Sequence, residues 1–206
     1  TTTGVQTYSG AVTVSAASTL STTNSDVTLG SSLTLADNLT ITTGAGAGDI
    51  AVTGSIDGAK ALSLSAGTGA ITLSGAVGQT TRLGALTLNS SGATTLAQSV
   101  KAASVTSNAD GTLRINGGSV DTTGAQTYGD AITLGANTTL TGTTVNTQST
   151  LAGGNNALTI TGAADIDGVF TGLTSLSVSG TSNIGANVTT TGTQTYAGAV
   201  TLSGGD

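Results

Sequence analysis

Thr189–Asp206 reads TTTGTQTYAGAVTLSGGD, and its wording has already occurred twice: TTTGVQTYSGAVTVSAAS at Thr1–Ser18 and DTTGAQTYGDAITLGANT at Asp121–Thr138. The chain's three tyrosines, Tyr8, Tyr128 and Tyr196, fill one slot in these TGxQTY copies. Self-similarity of this kind points to a repeat architecture before it points to any site. A repeat slot also predicts that the three tyrosines occupy equivalent places in three structural units and mark unit boundaries. Because the chain closes on the motif with which it opens, 1–206 is expected to be a single segment excised from a longer array.

Working outward from the motif, the recurring word is apolar, polar, apolar. It appears as Val12-Thr13-Val14, Val27-Thr28-Leu29, Leu33-Thr34-Leu35, Leu39-Thr40-Ile41, Leu62-Ser63-Leu64, Ile71-Thr72-Leu73 and Leu86-Thr87-Leu88, and continues to Val200-Thr201-Leu202. Period-two alternation sends the aliphatic pair to one side of a strand and the Thr or Ser to the other. Between the words stand Gly30, Asp37-Asn38, Gly117-Gly118, Gly135-Ala136-Asn137 and Gly185-Ala186-Asn187. In the last two, Asn is expected to supply the left-handed backbone of a tight corner.

Strands this short, joined by corners rather than hairpin loops, predict a parallel solenoid. Val12 and Leu33, Ile50 and Ile71, Leu113 and Ile132, and Leu158 and Leu176 are all separated by a coil-sized interval of about 20 residues. Roughly ten coils at ~4.8 Å per paired strand would make a rod ~50 Å long. An array of β-sandwich domains is the alternative, weakened by the absence of Trp, Pro and hairpin dipeptides.

Composition removes whole classes of function. With 36% apolar and 7% charged residues, the chain lacks both the long charged side chains of a helix surface and the high net charge of a disordered segment. A net charge of −6 with only Lys60, Arg82, Lys101 and Arg114 as cations argues against a nucleic-acid partner. No apolar run suggests a bilayer span, so a soluble piece without membrane insertion is expected, its export signal lying elsewhere. Absence of Cys leaves stability to packing and main-chain pairing.

The TGxQTY and GAVTLS words, with LTLADNLTI (33–41) and NNALTITGAADIDG (155–168), resemble the repetitive β-strand regions of very large bacterial surface proteins related to filamentous haemagglutinin and autotransporter passengers. The resemblance spans nearly all of the chain and implies a right-handed parallel β-helix, secretion to the cell exterior, and a role as stalk, fibre or adhesin in cell adhesion and biofilm.

No His and no Cys removes the commonest general base, the thiol nucleophile and most transition-metal sites, so the chain is not expected to be an enzyme. Asp165 and Asp167 flank Ile166 and would project to one side; they are too isolated for a polysaccharide-acting carboxylate pair, and two solvated acids beside Gly168 is the preferred reading. The same two residues are the best candidate for calcium, the one cofactor considered. Asn38, Asn89, Asn137 and Asn187 carry glycosylation triplets that a Thr-rich chain produces by chance. Thr40/Thr42 and Thr159/Thr161 have the Thr-x-Thr form of an ice-binding face, yet Thr, Ser, Ala and Asn alternate too irregularly along the chain to promise constant register.

Two functions from different classes are left: a mechanical spacer or filament subunit, and an adhesin binding host or matrix glycans, with or without calcium. An adhesin calls for a local departure from the repeat, and only Ala164–Leu173, with its acid pair and Phe170, approaches one. The spacer reading therefore leads. Thr1–Val14 and Thr189–Leu202 are uncharged and strand-forming, so the expected partner is the chain itself or neighbouring repeats, stacking end to end outside the cell.

Overall fold

The computed structural model describes residues 1–204; the last two residues of the third motif copy, Gly205 and Asp206, lie outside them. It is an all-β, parallel β-solenoid of about ten turns, and no helix occurs among the described residues. Each coil contributes three short strands, and each strand pairs in parallel with its counterparts in the coils before and after, building three flat faces.

The first face begins with Gln6–Tyr8, Val27–Leu29, Ile50–Val52 and Ile71–Leu73, the second with Val12–Val14, Leu33–Leu35 and Ile56–Asp57, and the third with Ser18–Ser21, Leu39–Thr42 and Leu62–Gly67. Along the first face the paired residues run Gln6, Val27, Ile50, Ile71, Thr94, Leu113, Ile132, Leu151, Phe170 and Val188. The four coil-sized intervals visible in the sequence are true pairings: Val12 faces Leu33, Ile50 faces Ile71, Leu113 faces Ile132 and Leu158 faces Leu176. Coil length itself drifts, the long step from Val27 to Ile50 giving way to a shorter one from Phe170 to Val188. Toward the C-terminal end a single strand can run round the corners, Leu151–Ile166 passing two of them and serving all three faces.

Alternation does what the words predict. In Leu33–Leu35 and Leu39–Thr42 the aliphatic side chains are buried and the intervening Thr34 and Thr40 are exposed. The inward residues stack on one another into rows that fill a narrow core, with Leu29, Ile41, Ile50, Leu64 and Ile71 all fully buried. Burial of this kind stabilises by ~1.5–3 kcal/mol per aliphatic side chain before entropy is counted.

Corners need close approach rather than the left-handed asparagines expected at Asn137 and Asn187. Among the described residues positive φ occurs instead at Asn24, Asp110, Asn155 and eight glycines. At Asn137 the side chain has another task, its Oδ1 accepting the N–H of Ala157 in the next coil at 2.9 Å. Along one corner a side chain at Gly162 would strike the carbonyl of Gly142, one at Gly180 that of Gly162, and one at Gly198 that of Gly180. Glycine is used there because successive coils touch backbone to backbone.

Two substitutions test this core with opposite signs. Leu134, 2% exposed, changed to Asp should unfold its coils locally at a cost on the order of several kcal/mol, seen as lost amide protection from Thr112 to Ala152; unaltered protection would mean the strand faces no core. Thr94 sits in the first-face row with a buried, unpartnered hydroxyl, so Thr94→Val, nearly the same shape, should stabilise by about 1 kcal/mol, read as a higher denaturation midpoint.

Candidate functional site: the Gln-Tyr corner and the polar surface

The repeated motif is a corner. In the middle copy the Thr122 hydroxyl donates to the Gly124 carbonyl at 2.8 Å and closes the turn. The Tyr128 hydroxyl donates to Gln126 Oε1 at 2.7 Å, and Gln126 Nε2 donates to the carbonyls of Val120 (3.0 Å) and Thr141 (2.7 Å). Both side chains point into the core and are wholly buried. Gln126 thus ties its own coil to the next, and burial pushes the Tyr128 hydroxyl far above its ordinary pKa, keeping it a neutral donor.

The other copies repeat these bonds. Thr2 donates to Gly4 and Thr190 to Gly192, each at 2.8 Å, while Tyr8 donates to Gln6 at 3.2 Å and Tyr196 to Gln194 at 3.0 Å. Gln6 reaches forward to the Ser21 carbonyl at 2.9 Å and Gln194 back to that of Val188 at 3.1 Å.

The expectation that the three tyrosines hold equivalent places in their coils is wrong. Tyr8 pairs with Leu29 on the first face, Tyr128 with Ser107 and Thr147 on the third, and Tyr196 with Val178 on the second. The motif therefore visits all three corners of the cross-section. Its copies are not a whole number of coils apart, and the bonds that close the turn lie within segments such as Thr122–Tyr128, so any corner accepts them.

The two acids of the calcium reading part company. Asp165 is half-buried on the outer third face, where Asn146 Nδ2 donates to its Oδ2 at 3.0 Å and Asn183 Nδ2 to its Oδ1 at 2.9 Å. Asp167 is exposed beyond the strand's end, near Gly185. Sequence reading missed the two asparagines, which lie one coil before and one coil after and become neighbours only through register. Phe170, offered as part of a local departure from the repeat, is fully buried between Leu151 and Val188 and is a core residue.

Arg82 is anchored, its guanidinium donating to the carbonyls of Ala102 (3.1 Å) and Asp121 (2.6 Å) and to the Asp121 carboxylate at 2.7 Å. Arg114 stands in the outer row of the first face between Thr95 and Thr133, and Lys101 in that of the second beside Asp121. Other acids serve corners. Asp26 accepts the N–H of Asp49 at 2.9 Å, Asp49 that of Ala70 at 2.7 Å, and Asp57 those of Thr80 and Thr81 at 2.8 and 3.1 Å.

The third face keeps constant register, while its outer residues vary in identity as the alternation along the chain implies. Its outer column runs Thr19, Thr40, Ser63, Thr87, Thr106, Thr127, Asn146, Asp165, Asn183, Thr201. A second column, Ser21, Thr42 and Ser65, lies beside its first three members. The hydroxyl patch is thus three coils long before Asn89 interrupts it.

Burial makes the middle corner the sensitive one. Tyr128→Phe orphans Gln126 Oε1 inside the core and should cost about 1–3 kcal/mol, whereas Tyr196→Phe, at a half-exposed corner, should change stability by less than about 0.5 kcal/mol; equal effects, followed by circular dichroism, would remove the distinction. No family model, no curated protein and no solved structure matches the chain.

Proposed function

We propose that the chain is a structural, non-catalytic module of a bacterial cell-surface or extracellular fibre, a stalk or filament segment whose end coils pair with further coils of the same kind. The observation that carries this reading is the state of the two end coils. At one end Val200 and Leu202 are 45% and 77% exposed although they continue the inward rows of the third face. At the other an apolar depression of about 400 Å³ opens among Tyr8, Val12, Val14, Leu20 and Leu39. Open strand edges over an uncovered core invite pairing.

The strands of the last coil, Val188–Thr190, Gln194–Tyr196 and Val200–Leu202, are spaced as are those of the first, Gln6–Tyr8, Val12–Val14 and Ser18–Ser21. Laying strand on strand gives the junction a register: Val188 over Gln6, Gln194 over Val12, Tyr196 over Val14, Val200 over Ser18 and Leu202 over Leu20. A coil in that position would also offer Gln194 a forward carbonyl such as Gln126 finds in Thr141. Main-chain pairing and aliphatic rows supply the contact, so no aromatic anchors are required. The wording shared with bacterial surface-protein repeats supports an extracellular setting, and the even, short-looped surface supports a spacer over an adhesin.

Mass measured in solution across a range of concentrations tests the stacking. Association should rise with concentration, giving rods longer than ~50 Å under negative stain, and Val200→Lys with Leu202→Lys should abolish it without altering the melting of the body. A chain that stays monomeric at high concentration would refute non-covalent stacking.

A further inference from the structure

The corner between the third and first faces of the fifth and sixth coils contains a carboxylate that the fold leaves half used. Asp130 is 1% exposed. Its Oδ1 accepts the N–H of Gly111 at 2.9 Å, while its Oδ2 is buried with no partner. The Ser107 hydroxyl lies beside it, accepting the Asp130 N–H at 3.4 Å. An orphaned buried carboxylate oxygen is costly, and in native proteins it marks a held proton, water or ion.

The neighbourhood is rich in oxygen. Asn108–Gly111 loops over the corner, with Asp110 exposed and in a left-handed conformation at φ 81°. Burial raises the pKa of Asp130 against the opposing Gly111 bond, and the nearby negative charge of Asp110 is the smallest contribution to that rise. Gly129 packs so closely on this loop that a Cβ there would come 2.6 Å from the Asn108 carbonyl. Among the described residues the one ion pair lies elsewhere, at Arg82 and Asp121, and no Lys or Arg side chain bonds to Asp130 or Asp110.

We propose that this corner is a calcium site in which Asp130 Oδ2 and the Asp110 carboxylate are the anionic ligands, completed by oxygens of Ser107 and the Asn108–Gly111 loop and by water. An all-oxygen set without His or Cys suits a hard cation, and an irregular loop suits calcium better than the strict octahedron of magnesium. Among the described residues no three acidic, His or Cys side chains converge, so neutral oxygens must fill most positions. Two carboxylates place the affinity in the roughly 10⁻⁴–10⁻³ M range of extracellular modules. The site is distinct from Asp165, whose two oxygens are already taken by Asn146 and Asn183. Calcium there would fasten the fifth coil to the sixth, independently of whether rods stack.

The test is a thermal melt and a calorimetric titration of metal-stripped protein with CaCl₂. The melting temperature should rise over that concentration range, Asp110→Asn should weaken binding at least tenfold, Asp130→Asn should abolish it, and Asp167→Asn should leave it unchanged. Three results would overturn the proposal: no calcium response, an equal response to MgCl₂ or to NaCl at matched ionic strength, or binding that survives both Asp110→Asn and Asp130→Asn. Should Asp130→Asn fail to fold, the exposed Asp110→Asn variant decides alone.

Discussion

Everything in this rod depends on one constraint: the N–H groups of each strand must meet the carbonyls of the next coil in unbroken parallel register. A one-residue slip would turn every aliphatic side chain outward, so register and core are the same requirement seen twice. Because strands stack directly, each inward residue sits on the inward residue of its neighbours, and the interior becomes a set of rows such as Leu29, Val52, Leu73, Leu96, Ile115 and Leu134. A polar residue enters a row without cost only if it satisfies itself there. Gln126 and Tyr128 do so by bonding to each other and to two carbonyls; Thr94 does not, its hydroxyl remaining unpartnered.

The corners face the opposite problem, since there the chain turns and main-chain groups lose strand partners. Short side chains answer it. Asp26, Asn38, Asp49, Asp57 and Asn137 each accept an N–H from the following coil, and where two coils touch outright the column of Gly142, Gly162, Gly180 and Gly198 removes the side chain altogether. This gives a physical reason for Asp rather than Glu at positions 26, 49 and 57. A carboxylate bonded directly to Cβ is held at the height of the next coil's amide, whereas the longer, freer Glu would lose more entropy in arriving there.

Strands and core were legible in the sequence because both are local or nearly periodic: the words name the strands, and four word spacings are real rungs. What stayed hidden depends on accumulated register. Coils that shorten along the chain cannot be summed by eye, so the faces of Tyr8, Tyr128 and Tyr196, the asparagines on either side of Asp165 and the hydroxyl columns of the third face could not be located. Left-handed corners were misplaced for a related reason. Asn137 resembles a turn residue, yet its side chain is already engaged by the amide of Ala157, a partner one coil on that sequence cannot show. The orphaned oxygen of Asp130 belongs to the same class, for it is defined by what successive coils fail to place beside it.

The motif that visits three different corners says something about how such a chain can vary. If the whole coil were the repeating unit, a copy would have to return after a whole number of coils, and the step from Tyr8 on the first face to Tyr128 on the third would be forbidden. Here the closed unit is a corner with its following strand, as in Thr122–Tyr128, whose turn and Gln-Tyr bonds are made within itself, and the three corners are equivalent enough to take it. Insertions and deletions of one strand are then tolerated as readily as those of one coil, provided the inward and outward alternation survives. A rod assembled in this way can change its length and coil size freely while its surface stays plain. The corner at Asp130 departs from that plainness, for its buried carboxylate accepts the N–H of Gly111 through one oxygen and leaves the other without a partner.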